Sequence, residues 1–300
     1  MNRPLFFLTA TELLLLTALG PGWSGQPDHP AVKILAVYEK LPPDGEVSIS
    51  PYIVDLYSID LVSKKQMLGD VKRYIEWHFK NLNYPDKSGM TGTICDFELD
   101  AKGDEKKLAT YDSADSYAAT FLVLLRDYQR VSGDTETIKK NQNKILDIAY
   151  TMAHLQDSDG LTWALSGHDE KYLMDNCEVI GGLQAIIELS RKFGWRKEDY
   201  YETVMKGVAK GITTLLWDEK AQNFGWALDR DGVQHSIWSK LYPDALSQLF
   251  PVIWDIPGVT AATKKHLLDK FSEHQSKTIA NAPPEQRLLY EIAKKRAINK

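Results

Sequence analysis

Two segments of this chain, residues 118–125 (AATFLVLL) and 179–187 (VIGGLQAII), are apolar on almost every side. A helix with no polar face must be enclosed by other helices, so both belong to the inner layer of a helical assembly. The segments around them differ in character. Met67, Leu68, Val71, Tyr74, Ile75, His78, Phe79 and Leu82 form an i, i+3, i+4 stripe with charges opposite. Ile138, Ile145, Ile148, Ala149 and Met152 repeat that stripe, as do Val204, Val208, Ile212 and Leu216. Helices of this kind bury one face and form an outer layer.

Inner and outer helices thus alternate, and two landmarks alternate with them. A tyrosine shortly before an acid opens each inner helix: Tyr52 with Asp55, Tyr111 with Asp112, Tyr172 with Asp175, and Tyr242 with Asp244. These acids are 57, 63 and 69 residues apart. An Asp-to-Gly turn follows each outer helix, at Asp86 to Gly89, Asp157 to Gly160 and Asp218 to Gly225. A period of about 60 residues suits one antiparallel helix pair with its loop. Residues 92–99 and 224–229 alternate in polarity and read as small strands. The expected fold is all-α: an α/α toroid of antiparallel hairpins, short of a full set, with small β-hairpins in its loops. Residues 51–300 contain no dividing linker and read as a single domain, preceded by a lead-in over residues 25–50.

Residues 1–24 read as a secretory signal peptide. Arg3 is followed by an apolar stretch from Leu5 to Leu19, with small residues Gly22 and Ser24 at the cut. Export implies a secreted or periplasmic protein with no stable membrane insertion after cleavage. In that compartment Cys95 and Cys177 have one pairing open to them, and two separate small thiols are the other reading.

The balance of 36 Lys+Arg against 41 Asp+Glu gives a net charge of −5, which argues against a nucleic-acid partner. The chain also holds 8 Trp and 14 Tyr, flat rings with a polar edge that suit cores and sugar faces alike. No zinc-type histidine pair, phosphate loop, dinucleotide fingerprint or nucleophile elbow is present, so neither metal nor cofactor is expected. Asp157-Ser-Asp-Gly160 is half of a calcium loop and reads as a turn. Gly181-Gly182, inside an inner helix, reads as a close-packing point.

The pattern resembles the six-hairpin glycosidase-like superfamily over roughly residues 50–276. The resemblance is carried by YDSADSYAATF (111–121), DGLTW (159–163) and KYLMDNCE (171–178), with weaker support from Trp217-Asp218 and Tyr242-Pro-Asp244. It implies an (α/α)6-type barrel acting on carbohydrate. This chain departs from the family in length: about nine helices are readable by periodicity, where the complete barrel has twelve.

Asp112 and Asp115 open one inner helix, as N-cap and third helical residue; Asp175 and Glu178 open another as a capping box. Capping accounts for both pairs without further function. A toroid, however, opens all inner-helix N-termini on one end, and there two carboxyls of divergent pKa can divide acid and base work. Glycoside hydrolysis needs such a pair, about 5–5.5 Å apart for retention or 6.5–9.5 Å for inversion. On this reading Asp115 and Glu178 are the catalytic pair. Asp112, Asp175, Asn176 and Asp244 bind or orient, Asp96 stands in reserve, and Tyr111, Tyr117, Trp163, Tyr172, Trp226 and Tyr242 stack on sugar. Trp77, Trp195, Trp217 and Trp254 read as packing. Two alternatives share the fold. One is a non-catalytic glycan-binding or polysaccharide-assembly protein. The other is a polysaccharide lyase, disfavoured because arginine is nearly missing from the expected mouth.

Overall fold

The structure, a computed structural model, describes residues 28–42 and 46–298, so the leader-like residues 1–24 lie outside it. The helices are α1 (Pro30–Tyr38), α2 (Pro51–Ser63), α3 (Leu68–Asn81), α4 (Ala114–Ser132), α5 (Thr135–Lys140) and α6 (Gln142–His154). After these come α7 (Leu173–Phe193), α8 (Glu198–Gly211), α9 (Phe250–Ile253), α10 (Ala261–Ile279) and α11 (Pro284–Ile298). Two π-helical turns occur, Ile212–Leu216 continuing α8 and Leu241–Ala245 preceding α9.

The two all-apolar segments lie inside α4 and α7, which pack directly on each other. Their approach is close because of glycine. A Cβ on Gly182 would come within 2.6 Å of the Ala119 Cα, and one on Gly181 within 2.4 Å of the Trp254 ring. Helices α2, α4 and α7 pack in series, α9 packs on α7, and α11 packs on both α9 and α2. Five inner elements therefore close a ring. Outside it, α3 lies on α2 and α4, α6 on α4 and α7, α8 on α7, and α10 on α9 and α11.

The all-α toroid is thus observed, built among the described residues from five inner elements, four outer helices and α1. Two of its elements lie where no helix was read. Helix α1 sits in the lead-in and packs on α2 and α3, while α11 lies beyond residue 276 and completes the ring. Both lack a long apolar stripe; α1 is only nine residues, too short for periodicity to identify. The stripe expected over 138–152 is split at Asn141, which separates α5 from α6.

The strands are short. β1 (Val47–Ile49), β2 (Phe97–Leu99) and β3 (Glu105–Lys107) form one antiparallel sheet, with Ile49 opposite Phe97. β4 (Lys171–Tyr172), β7 (Ala227–Asp229) and β8 (Gly232–Gln234) form another, and β5 (Trp217–Asp218) pairs with β6 (Asn223–Phe224). Among the buried carboxyls, Asp55 accepts hydrogen bonds from the hydroxyls of Tyr74 (2.9 Å) and Thr120 (3.3 Å) and joins three helices. Cys95 and Cys177 are both buried and free, so the paired reading is not realised. Among the described residues no helix is long and apolar enough to cross a membrane.

Candidate functional site

The N-terminal ends of all five inner elements meet around one cavity of about 370 Å³. Tyr52 comes from the first turn of α2, Ser116 and Tyr117 from α4, and Met174 and Asp175 from α7. Tyr242 precedes α9, and Glu285 and Gln286 open α11. Asp96 and Asp112 enter from loops, and Leu246, Phe250 and Leu289 supply apolar wall.

The helix starts are made differently from the caps read in the sequence. Helix α4 begins at Ala114 with Ser113 at the N-cap position, so Asp112 falls outside the helix and is exposed. The Ala114 N–H donates to the Ala164 carbonyl (2.7 Å), which ties the 159–170 loop over this end. Strand β4 runs straight into α7, whose N-cap is Tyr172 and whose Leu173 N–H donates to the Trp226 carbonyl (2.9 Å). Asp175 and Glu178 therefore make no capping box; the sheet does that work and leaves both carboxyls for other contacts.

Those contacts form a buried chain. Asp115 is wholly enclosed and accepts from the hydroxyl of Thr162 (2.5 Å) and the N–H of Ser116 (2.8 Å). The Ser113 oxygen lies 2.7 Å from one Asp115 oxygen and 2.6 Å from an Asp175 oxygen. A hydroxyl has one proton to give. Ser113 can donate to one of these carboxyls, and the other contact needs a proton on the acid. Burial and the neighbouring Asp115 push the Asp175 carboxyl well above the usual carboxylate range. Burial lifts Asp115 as well, to about 6, opposed by the donors of Thr162, Ser113 and Ser116. Asp115, with more donors around it, ionises first, and Asp175 holds its proton to higher pH.

Glu178 lies one turn deeper in α7. One oxygen accepts from the Tyr52 hydroxyl (2.8 Å), and the other is buried without a hydrogen-bond partner. Burial, then the nearby Asp175, pushes its carboxyl well above the ordinary range. Across the cavity the Tyr117 hydroxyl donates to Asp96 (2.9 Å) and lies 3.0 Å from the Ser50 hydroxyl. The rings of Tyr52 and Tyr117 stack with centroids 5.8 Å apart. Burial raises the Asp96 carboxyl too.

Of the residues proposed from sequence, Asp112, Tyr117, Asp175 and Tyr242 line the cavity. Asp115, Asn176 and Glu178 stand one layer behind it. The Asn176 side chain is occupied with the backbone N–H of Thr162 (2.8 Å) and the Tyr172 carbonyl (3.0 Å). Tyr172 and Trp226 stack on each other at the β4–β7 pair, with centroids 6.2 Å apart. Tyr111 donates to Asp86 (2.5 Å), and Trp163 lies 3.8 Å beneath the Lys171 ammonium. Asp244 is buried, paired with Lys240 at 2.9 Å, and accepts from the Ile237 N–H. Tyr111, Trp163 and Asp244 thus hold loops to the ring rather than lining the cavity.

Lys171 also bonds Asp157 and Asp159, each at 2.6 Å, and the Gly160 N–H closes the expected turn onto the Asp157 carbonyl. Sequence reading passed over Ser50, Ser113 and Glu285, and used Tyr52 only as a landmark. The Tyr-then-acid rhythm was the one signal for Tyr52. Ser113 carries none, because a serine between two acids differs from any helix-start serine only by its tertiary contacts.

No protein-family model matches the chain, and no curated protein matches it. Among solved structures it is similar to a rhamnosidase from Klebsiella oxytoca with rhamnose bound, at 14% identity and a TM-score of 0.61. That likeness covers 91% of this chain and 51% of that one, so this chain spans about half the length of the rhamnosidase. A GH78 family rhamnosidase of Bacillus sp. GL1 is 12% identical with a TM-score of 0.46, over 64% of this chain and 21% of that one. The first likeness shows the fold, a helical toroid.

Proposed function

We propose that this chain is an exported glycoside hydrolase acting on a polysaccharide or oligosaccharide in the cavity at the N-terminal mouth of the ring. The observation that carries the reading is Asp175, an acid that lines the cavity while its proton is held against Asp115 by the Ser113 hydroxyl. A carboxyl kept protonated near neutral pH is what a glycosidic oxygen needs as general acid. Asp112, exposed at the rim of the same cavity, is the carboxylate available to activate water.

Asp115 and Glu178 act through others on this reading: Asp115 holds charge behind Asp175, and Glu178 holds Tyr52 in the wall. Tyr52, Tyr117 and Tyr242 supply ring faces and hydroxyls for sugar. The fold shared with the Klebsiella oxytoca rhamnosidase supports the class, while the site supports the chemistry. The leader-like residues 1–24 support export.

The test is release of reducing ends from a panel of polysaccharides, run with wild type and with Asp175→Asn. Loss of general-acid help is expected to lower turnover about 10²–10⁴-fold with little change in melting temperature. Glycan binding without reducing-end release by wild type would replace the hydrolase with a binding protein on the same fold.

A further inference from the structure

We infer that the cavity takes an amino sugar, a glycan unit with a free protonated amine, rather than a uronate or a sulfated or phosphorylated sugar. The inference rests on the glycan reading above and names its substrate class.

Four carboxyls, those of Asp96, Asp112, Asp175 and Glu285, line the cavity, and among the described residues no lysine, arginine or histidine lines it. The basic groups near this end are engaged elsewhere. Lys240 is paired with Asp244, and Lys171 with Asp157 and Asp159. Arg287 is exposed on α11 and weighs on Glu285. Behind the wall, Glu178 carries a buried oxygen with no hydrogen-bond donor at all.

Such a wall carries carboxyl acceptors and no cationic donor. An anionic sugar brings more acceptors and more negative charge, so it meets repulsion with nothing to pair. An ammonium brings three donors and no acceptor, the complement of what the wall offers. The tyrosine rings also attract cations and repel anions.

Bringing in that cation reverses the cause of the raised carboxyls. Asp96 and Glu285 are both lifted first by burial, and an ammonium stabilises their ionised forms, while Asp175 keeps the proton that the proposed chemistry uses. Binding should therefore release protons. Its affinity should climb as pH rises through the carboxyl range and decline once the amine itself deprotonates. The groups facing the ligand that enter this balance are Tyr52 on α2, Tyr117 on α4, Asp175 on α7, Tyr242 before α9, Glu285 on α11, and Asp96 and Asp112 in the loops, with Glu178 behind the wall and Arg287 outside it.

The experiment is titration calorimetry on the whole chain in buffers of different ionisation enthalpy. The probes are glucosamine and galactosamine oligomers, their N-acetylated forms, and galacturonate oligomers of equal length. The deacetylated oligomers are expected to bind about tenfold or more tighter than the acetylated ones, the size of one charge-assisted hydrogen bond, with net proton release. Glu285→Gln, at a lining acid with no part in the proposed chemistry, should remove about that factor for the amino sugars alone. Equal or tighter binding of the acetylated oligomers, or preference for galacturonate, overturns the inference and leaves the glycan reading standing. If no oligomer of any charge class binds, both fall together.

Discussion

The two mouths of the ring carry opposite charges and manage them in opposite ways. At the C-terminal ends of the inner helices a second cavity, about 380 Å³, is lined by Arg126, Arg130 and Arg296 together with Asp127 and Asp255. There acids and bases meet: Arg126 donates to Asp127 at 2.8 Å, and Arg130 makes a two-pronged pair with Glu188. At the N-terminal mouth the acids face one another, with a serine hydroxyl and tyrosines between them and no base in the lining. Helix dipoles favour acids at N-termini and bases at C-termini, so they explain the sign at each end. They do not explain why one end neutralises its charges and the other stores them. Storage is what a site for proton transfer or for a cation requires, and a purely structural rim gains nothing from it.

The comparison breaks most plainly in turnover. Asp175→Asn should lose about 10²–10⁴-fold in reducing-end release, while Arg296→Ala at the opposite mouth should match wild type; equal losses would mean that the two ends are not functionally distinct. Stability gives the next largest effect. Ser113→Ala removes the shared hydroxyl from two enclosed carboxyls, at a cost of about 1–3 kcal/mol for each one left short of a partner. Ser113→Thr keeps the hydroxyl and should recover most of that loss in urea unfolding.

The pH dependence follows from the same carboxyls. Asp115 holds its proton more tightly in the folded chain, at about 6 against 3.8. Between those values the folded state carries more protons than the unfolded one, so its contribution is full below about pH 4 and is lost as pH rises through 6. The loss amounts to roughly 2–3 kcal/mol, and Asp175 and Glu178 push in the same direction. Urea unfolding at pH 4 and pH 7 should show this decline in wild type and a shallower one in Asp175→Asn. Smallest of all, Arg130→Ala at the far mouth breaks a half-exposed pair with Glu188 and should cost about 0–1 kcal/mol.

Much of the ring was legible in the sequence because burial on every side leaves a compositional trace. The all-apolar runs of α4 and α7 and the one-sided stripes of α3, α6 and α8 declared their layers. The glycine pair at 181–182 declared the close contact with α4. Helices α1 and α11 left a weaker trace, since a short helix covered on one side reads like any mixed segment. The mouth was legible at the level of which acids gather there, because inner-helix starts must converge in such a ring. Their roles were not. Whether Asp115 or Asp175 faces the cavity depends on a helix start displaced by a residue or two and on strand β4 feeding α7. Those details come from Ala164 and Trp226, each far along the chain from the helix start that it ties.

The proton on Asp175 is the centre of this account, and carboxyl-carbon NMR reads it directly. Aspartate labelled at the side-chain carboxyl, with the Asp175 signal identified by its loss in Asp175→Asn, can be followed from pH 3 to pH 8. Asp175 is expected to stay protonated at pH 5 and to titrate well above the ordinary carboxylate value, with its midpoint shifting when Ser113 is replaced by alanine. A midpoint near the ordinary value of about 3.9, unchanged by that replacement, would contradict a proton held between the two helix starts.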